Sequence, residues 1–113
     1  MEQGTKYSVI VVCLNAGQRL CETVKSILGQ TYRNFEVVIK DGGSTDGSVE
    51  ALASAYQDSR LHVHRLKDNG IYDAMNQAVK LAAGTYFLFL NAGDSFYDEH
   101  VLERITDEIK HKK

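Results

Sequence analysis

The stretch FLFLNAGDSF, residues 87–96, passes from four apolar residues directly into Asn91, Ala92, Gly93 and Asp94. A carboxylate placed where an apolar run ends offers a hard oxygen at a fixed position. Gly93 lets the chain approach a ligand closely. Mg²⁺ or Mn²⁺ needs only a few protein carboxylates when water and substrate phosphates complete its octahedron. Asp94 can therefore serve as a metal ligand if a diphosphate supplies most of the remaining oxygens. The competing reading of the same residues is a simple turn.

A second group is KDGGSTDGS, residues 40–48. Glycines opening a helix suggest phosphate, but the spacing GxGxxG is not met. Gly42 and Gly47 have the P-loop separation, yet Ser48 stands where the phosphate-binding Lys belongs. What remains is Asp41, whose carboxylate can accept from a base N–H or from ribose hydroxyls, beside the small residues Gly42, Gly43 and Ser44. A plain glycine turn explains the same stretch equally well. In DNGIYDAMN, residues 68–76, Asp73 and Asn76 fall three apart on one helix face, with Ile71 and Met75 on the opposite, buried one. A solvated face is the alternative there. His62 and His64 share one side of a strand but lack a third ligand nearby, so they read as a solvated face. Glu22 reads as a surface acid, and Cys13 as a small core residue.

These groups need elements to hold them. Tyr7–Leu14 is nearly all apolar and β-branched, as in a strand covered on both sides. Leu20, Val24, Ile27 and Leu28 form a helical stripe. Phe35–Ile39 is a second buried strand, ending at Asp41. Ser44 or Thr45 is expected to cap a helix bearing Val49, Leu52, Ala53 and Tyr56. Arg60–Leu66 alternates like a half-solvated strand. Asp68 or Asn69 is expected to cap a helix burying Ile71, Met75, Ala78 and Ala82, which stops at Gly84. Tyr86–Leu90 is the fourth strand, and a helix from near Asp98 carries Val101, Leu102, Ile105 and Ile109.

The order βαβαβαβα, with short connections, predicts an α/β three-layer sandwich with a mostly parallel sheet and right-handed crossovers. Ligands in such folds bind beyond the carboxyl ends of the strands. Asn15, Asp41–Ser44, Asp68–Gly70 and Asn91–Asp94 each follow a strand. Four acid or amide clusters on one rim exceed what turn chemistry requires.

With 113 residues, 43% of them apolar, the chain makes one domain with a modest core. A net charge of −2 gives no case for a nucleic-acid partner. Lys110, Lys112 and Lys113 around His111 read as a frayed tail. No apolar run is long enough to cross a bilayer and no signal peptide is evident. Cys13 and Cys21, with seven residues between them, match no metal spacing and read as free thiols in a reducing cytoplasm.

Taken in order, YSVIVVCLNAGQRLCETVKSILGQTYRNFEVVIKDGGSTDGS and DNGIYDAMNQAVKLAAGTYFLFLNAGD resemble the nucleotide-sugar-binding half of the family 2 inverting glycosyltransferases, which have the GT-A (Rossmann-like) fold. The resemblance covers most of residues 7–94. It implies a nucleotide-diphosphate sugar donor, a UDP-sugar foremost, and a divalent cation, Mn²⁺ or Mg²⁺. It implies inverting transfer to a hydroxyl of a saccharide or lipid-linked saccharide, in polysaccharide or glycoconjugate synthesis. The expected setting is the cytoplasm, or the inner membrane face through the acceptor. Leu14 and Asn15 would border base and ribose, Asp41 with Gly42, Gly43 and Ser44 would bind the nucleoside, and Glu22 would lie against that pocket. Gly70, Asp73, Asn76 and Asn91 would line the sugar-nucleotide cleft.

The chain also departs from the family's pattern. Asp41-Gly42-Gly43-Ser44 stands where Asp-Asp-Gly-Ser is common. The two usual Asp positions of the metal motif align with Asn91 and Gly93, leaving Asp94 as the metal ligand and Asn91 as a weaker partner. No residue is assigned as the general base, which the resemblance places beyond Lys113. Residues 1–113 are thus expected to be a single donor-binding domain ending before the acceptor-binding half. Its last helix, if left uncovered, would favour self-association. Two other readings compete: a receiver-like domain binding Mg²⁺ and phosphate, which would need paired acids after the first strand and a Lys after the last, and a non-catalytic interaction domain.

Overall fold

The computed structural model describes residues 6–111, so Lys112 and Lys113 of the expected tail lie outside the described residues. Eight elements alternate without exception: β1 (Tyr7–Cys13), α1 (Gln18–Leu28), β2 (Phe35–Asp41), α2 (Ser48–Ala55), β3 (Leu61–Arg65), α3 (Ile71–Leu81), β4 (Tyr86–Asn91) and α4 (Val101–His111). The four strands form one sheet in the order β3-β2-β1-β4. Every pairing is parallel, where the sequence had suggested only mostly parallel.

This order follows from the chain's composition. β1 and β2 are central and apolar on both sides; Val9, Ile10, Val11, Val37 and Ile39 are inaccessible to solvent. α1 presents Leu20, Val24 and Ile27 to one side of the sheet, where Val9, Val11, Val37, Ile39, Leu52 and Leu102 join them. Each such side chain contributes about 1.5–3 kcal/mol by leaving water. The opposite side is thinner, with Ile10, Val38 and Ala78 as its buried centre under α3. The layers are therefore α1, α2 and α4, then the sheet, then α3.

The structure corrects several expectations. Ser44 and Thr45 do not cap α2: its N-cap is Gly47, in left-handed backbone, and no side chain caps it. Ala53 is exposed. Neither Asp68 nor Asn69 caps α3, whose N-cap is Gly70. The buried face of α3 is Ala74 and Ala78, while Ile71 is 52% exposed. α4 is not an uncovered face. Leu102 is buried, Ile105 and Ile109 pack on the main core, and the Tyr7 hydroxyl donates to Thr106 Oγ1 at 2.7 Å. The condition for self-association through α4 is thus not met. Lys110 and His111 form the last helical turn rather than a tail, and the Lys110 charge is favourable at that end of the helix dipole.

Candidate functional site

Asp41 ends its strand and Asn15, Asp68 and Asp94 follow theirs, so the parallel sheet gathers all four on one rim. The order β3-β2-β1-β4 places β1 between β2 and β4, which puts the Asp41 and Asp94 strands about 10 Å apart, two strand spacings. Between β1 and β4 the chain reverses its direction of travel across the sheet, with α1 and α3 on opposite faces. Such a switch point opens a crevice.

Asp41 is fully buried, and its oxygens are already occupied. Oδ2 accepts from the Ser44 amide at 2.8 Å and the Gly43 amide at 3.2 Å. Oδ1 accepts from the Ser44 hydroxyl and from Cys13 Sγ. Arg65 Nε adds a 3.4 Å contact. Burial pushes the carboxyl up, but the Ser44 and Gly43 bonds outweigh it and hold Asp41 below the usual carboxylate range. Burial and then the adjacent Asp41 charge push the Cys13 thiol up to about 12.

Asn15 closes the same loop from β1. Its amide donates to Ser44 Oγ at 2.8 Å, and its Oδ1 accepts from the Thr45 amide at 2.8 Å. Asp46 joins Gly17 and Ser48 in the same way. The residues expected to bind a nucleoside thus form a rigid loop whose polar groups largely satisfy one another. Leu14, by contrast, is 60% exposed.

A cavity of about 190 Å³ opens beside this loop, lined by Val12, Cys13, Leu14, Asp68, Gly70, Ile71 and Ala74. It is smaller than a whole ligand site of about 300–1,000 Å³ and suits one part of a ligand. Asp73 and Asn76 do not line it. Asp73 instead accepts from the Asn69 amide at 2.8 Å and from Gln77 Nε2 at 3.2 Å, while Asn76 is exposed. Glu22 also lies elsewhere, on an open groove with Lys25, Ser26, Ser95, Phe96 and Asp98.

On the far side of β1, the Asp94 turn closes with its amide donating to the Asn91 carbonyl at 2.9 Å. Gly93 sits at φ 105°, a conformation costly for a side-chain-bearing residue. The Thr23 hydroxyl accepts from the Gly93 amide at 2.8 Å and donates to the Asp94 carbonyl at 2.7 Å. The Asp94 carboxylate itself is exposed and has no hydrogen-bond or ion-pair partner among the described residues. Among the described residues, no three His, Cys, Asp or Glu side chains gather to hold a metal there. One exposed, unpaired carboxylate can bind a cation only if phosphate and water supply most of its other ligands. His62 sits 3.8 Å from Glu36, and neither His62 nor His64 joins a metal-ligating group.

Sequence reasoning missed three contributors. Lys40, fully buried, pairs with Asp68 at 2.8 Å. Arg65 donates to the Ser44 carbonyl at 2.6 Å and to Glu50 at 2.9 Å. Thr23 was hidden inside the α1 stripe. The available signal was a polar residue in an apolar pattern: Lys40 in FEVVIKD, and Thr23 beside Val24.

Residues 8–113 match the family described as Glycosyl transferase family 2. The chain belongs to that family. Among its curated relatives, a PGL/p-HBAD biosynthesis glycosyltransferase of Mycobacterium bovis is 43% identical over 103 residues, covering 88% of this chain and 40% of the relative. Glycosyltransferase GlyG of Streptococcus pneumoniae is 36% identical, covering 93% and 35%. The chain thus spans two fifths or less of these relatives. Crystalline S. aureus TarS 1–349 in complex with UDP-GlcNAc superposes with TM-score 0.85 at 27% identity, over 94% of this chain and 31% of that one. The mannosyltransferase PcManGT of Pyrobaculum calidifontis, in complex with GDP-Man and Mn²⁺, gives 0.79 at 27% identity, over 88% and 30%. The GT-A fold of family 2 is therefore the fold of this chain. The receiver-like reading is not favoured: the sheet of the described residues has four strands, and no fifth strand supplies a Lys.

Proposed function

We propose that this chain is the donor-binding portion of a glycosyltransferase. It takes a nucleotide-diphosphate sugar, a UDP-sugar foremost, for transfer to an acceptor hydroxyl with inversion at the anomeric carbon. One observation carries the reading. The free Asp94 carboxylate and the cavity beside Leu14 and Asp68 both lie at the carboxyl-end rim of the parallel sheet. The donors in the TarS and PcManGT complexes support the substrate class.

In this reading the cavity takes part of the nucleoside against Val12, Leu14 and Ile71, and the diphosphate runs toward β4. Asp41 does not reach the donor directly. It fixes the Gly43–Ser44 loop and accepts from Cys13 Sγ, a residue of the cavity wall. Asp94 would hold a divalent cation, with Asn91 as the weaker oxygen donor, and Thr23 fixes the turn that aims Asp94. Such a cation, when bound, supplies Lewis-acid stabilisation of charge on the departing diphosphate. The acceptor oxygen bonds to the anomeric carbon as the bond to the diphosphate oxygen breaks. The hydroxyl proton passes to a base outside the residues assigned here, so this chain alone is expected to bind donor and transfer little.

Thermal-shift titration with UDP, GDP and CMP, each with and without Mn²⁺, tests this. Ligand at about 100 times its Kd adds about 2.7 kcal/mol, a rise of roughly 10 °C or more for a domain of this size. UDP should stabilise most, with an Mn²⁺ increment that Asp94→Asn removes. Stabilisation by acetyl phosphate but by no nucleotide would return the receiver-like reading.

A further inference from the structure

Lys40 is the least expected residue of the core. It ends an otherwise apolar run in a central strand, and its side chain is 0% exposed. A buried ammonium requires a partner. Lys40 Nζ donates to the Leu66 carbonyl and, at 2.8 Å, to Asp68 Oδ2. Asp68 Oδ1 in turn accepts from the Gly70 amide at 3.1 Å. A charge inside the sheet therefore grips the loop between β3 and α3 at two points, immediately before the helix whose first turn walls the cavity.

Gly42 makes that grip possible. A Cβ at residue 42 would lie 2.9 Å from Asp68 Oδ2, closer than real Cβ atoms come. Gly42 does not occupy the left-handed region, so its backbone does not demand glycine. The space does. Lys40 pulls Asp68 inward, and Gly42 leaves the opening that Asp68 fills.

We propose that Lys40 is a positioning residue for the donor site. Through Asp68 it seats the 66–70 loop and Gly70 as one wall of the cavity, and Gly42 is the third member of the set. The proposal rests on the donor-binding reading for its effect on ligand, and on the unliganded protein for its effect on the loop. It goes beyond that reading by assigning affinity to a side chain that no ligand touches.

The test compares Lys40→Met, Gly42→Ala and the double variant of the 113-residue chain. Hydrogen exchange reads the unliganded loop, UDP titration with Mn²⁺ reads affinity, and thermal melting reads stability. Lys40→Met is expected to speed exchange of the Gly70 amide at least about tenfold and to raise the Kd for UDP at least about tenfold. Gly42→Ala, which displaces Asp68 without removing a charge, should do the same. In the double variant Asp68 is already free, so the second change should add less than about twofold, the non-additivity of residues that share a partner. Lowered melting temperature with wild-type UDP affinity in the folded protein would make Lys40 merely structural and overturn the proposal. Fully additive losses would overturn it as well. If Lys40→Met does not fold, Gly42→Ala decides alone. If the wild-type chain binds neither UDP nor GDP, the donor reading fails. The Gly70 exchange rates then decide by themselves whether Lys40 seats the loop.

Discussion

Thr23 holds the Asp94 turn from both directions, accepting from the Gly93 amide at 2.8 Å and donating to the Asp94 carbonyl at 2.7 Å. One buried hydroxyl on α1 thereby satisfies two backbone groups of the turn after β4. Thr23→Val keeps the shape and leaves both groups unpaired, at a cost of about 1–3 kcal/mol for each. The expected result is a lower melting temperature together with a smaller Mn²⁺ increment in UDP affinity. Chemical denaturation and titration measure the two separately.

Asp41 gives a pH dependence whose sign is fixed. Its folded pKa lies below the ordinary value, so the unfolded chain takes up the proton first as pH falls. The contribution is complete above the ordinary Asp pKa of about 3.9 and is lost as pH drops through the lower folded value. Asp41→Asn should therefore be destabilised by roughly 2–3 kcal/mol at pH 7. The gap to wild type should narrow progressively as pH falls below about 4. Urea unfolding at pH 7 and pH 3 checks this.

The two cysteines should behave differently. Cys13, buried and held at about 12 by burial and the neighbouring Asp41, is thiolate to only about one part in 10⁴ at pH 8. Cys21 is partly accessible. A thiol reagent should modify Cys21 in the native protein and reach Cys13 only on unfolding, as mass spectrometry of digested samples would show.

α4 belongs to the core and is not an appendage. Leu102 is fully buried against the sheet layer, so Leu102→Ala should cost about 2–5 kcal/mol. An exposed-helix reading would predict almost no loss. Denaturation midpoints distinguish the two.

Most of the fold was legible because the strands are short, apolar and separated by long helical stripes; β1 and β2 agree with expectation to within two residues. The rim was legible for the same reason, since a parallel sheet must bring the residues after every strand together. What failed was local. Ser44 looked like a cap because it precedes a helix, but its hydroxyl serves Asp41 instead. On α3 the expected Ala78 is buried and Ala82 packs beside it, but Ile71 is exposed and Ala74, a small residue, lies against the sheet in its place. Glu22, Asp73 and Asn76, expected near the cleft from family likeness, do not line the small cavity, which takes only part of a donor. Lys40 was overlooked because pairing across the sheet rim, between residues 28 positions apart, leaves no periodic trace.

Mn²⁺-induced broadening of backbone amide resonances, recorded with and without UDP, tests the shared rim most directly. UDP is expected to shift amides around Leu14, Asp68 and Gly70, and Mn²⁺ then to broaden those of Asn91–Asp94. Broadening centred on His62 and His64, or UDP shifts confined to a surface remote from β1, would contradict it.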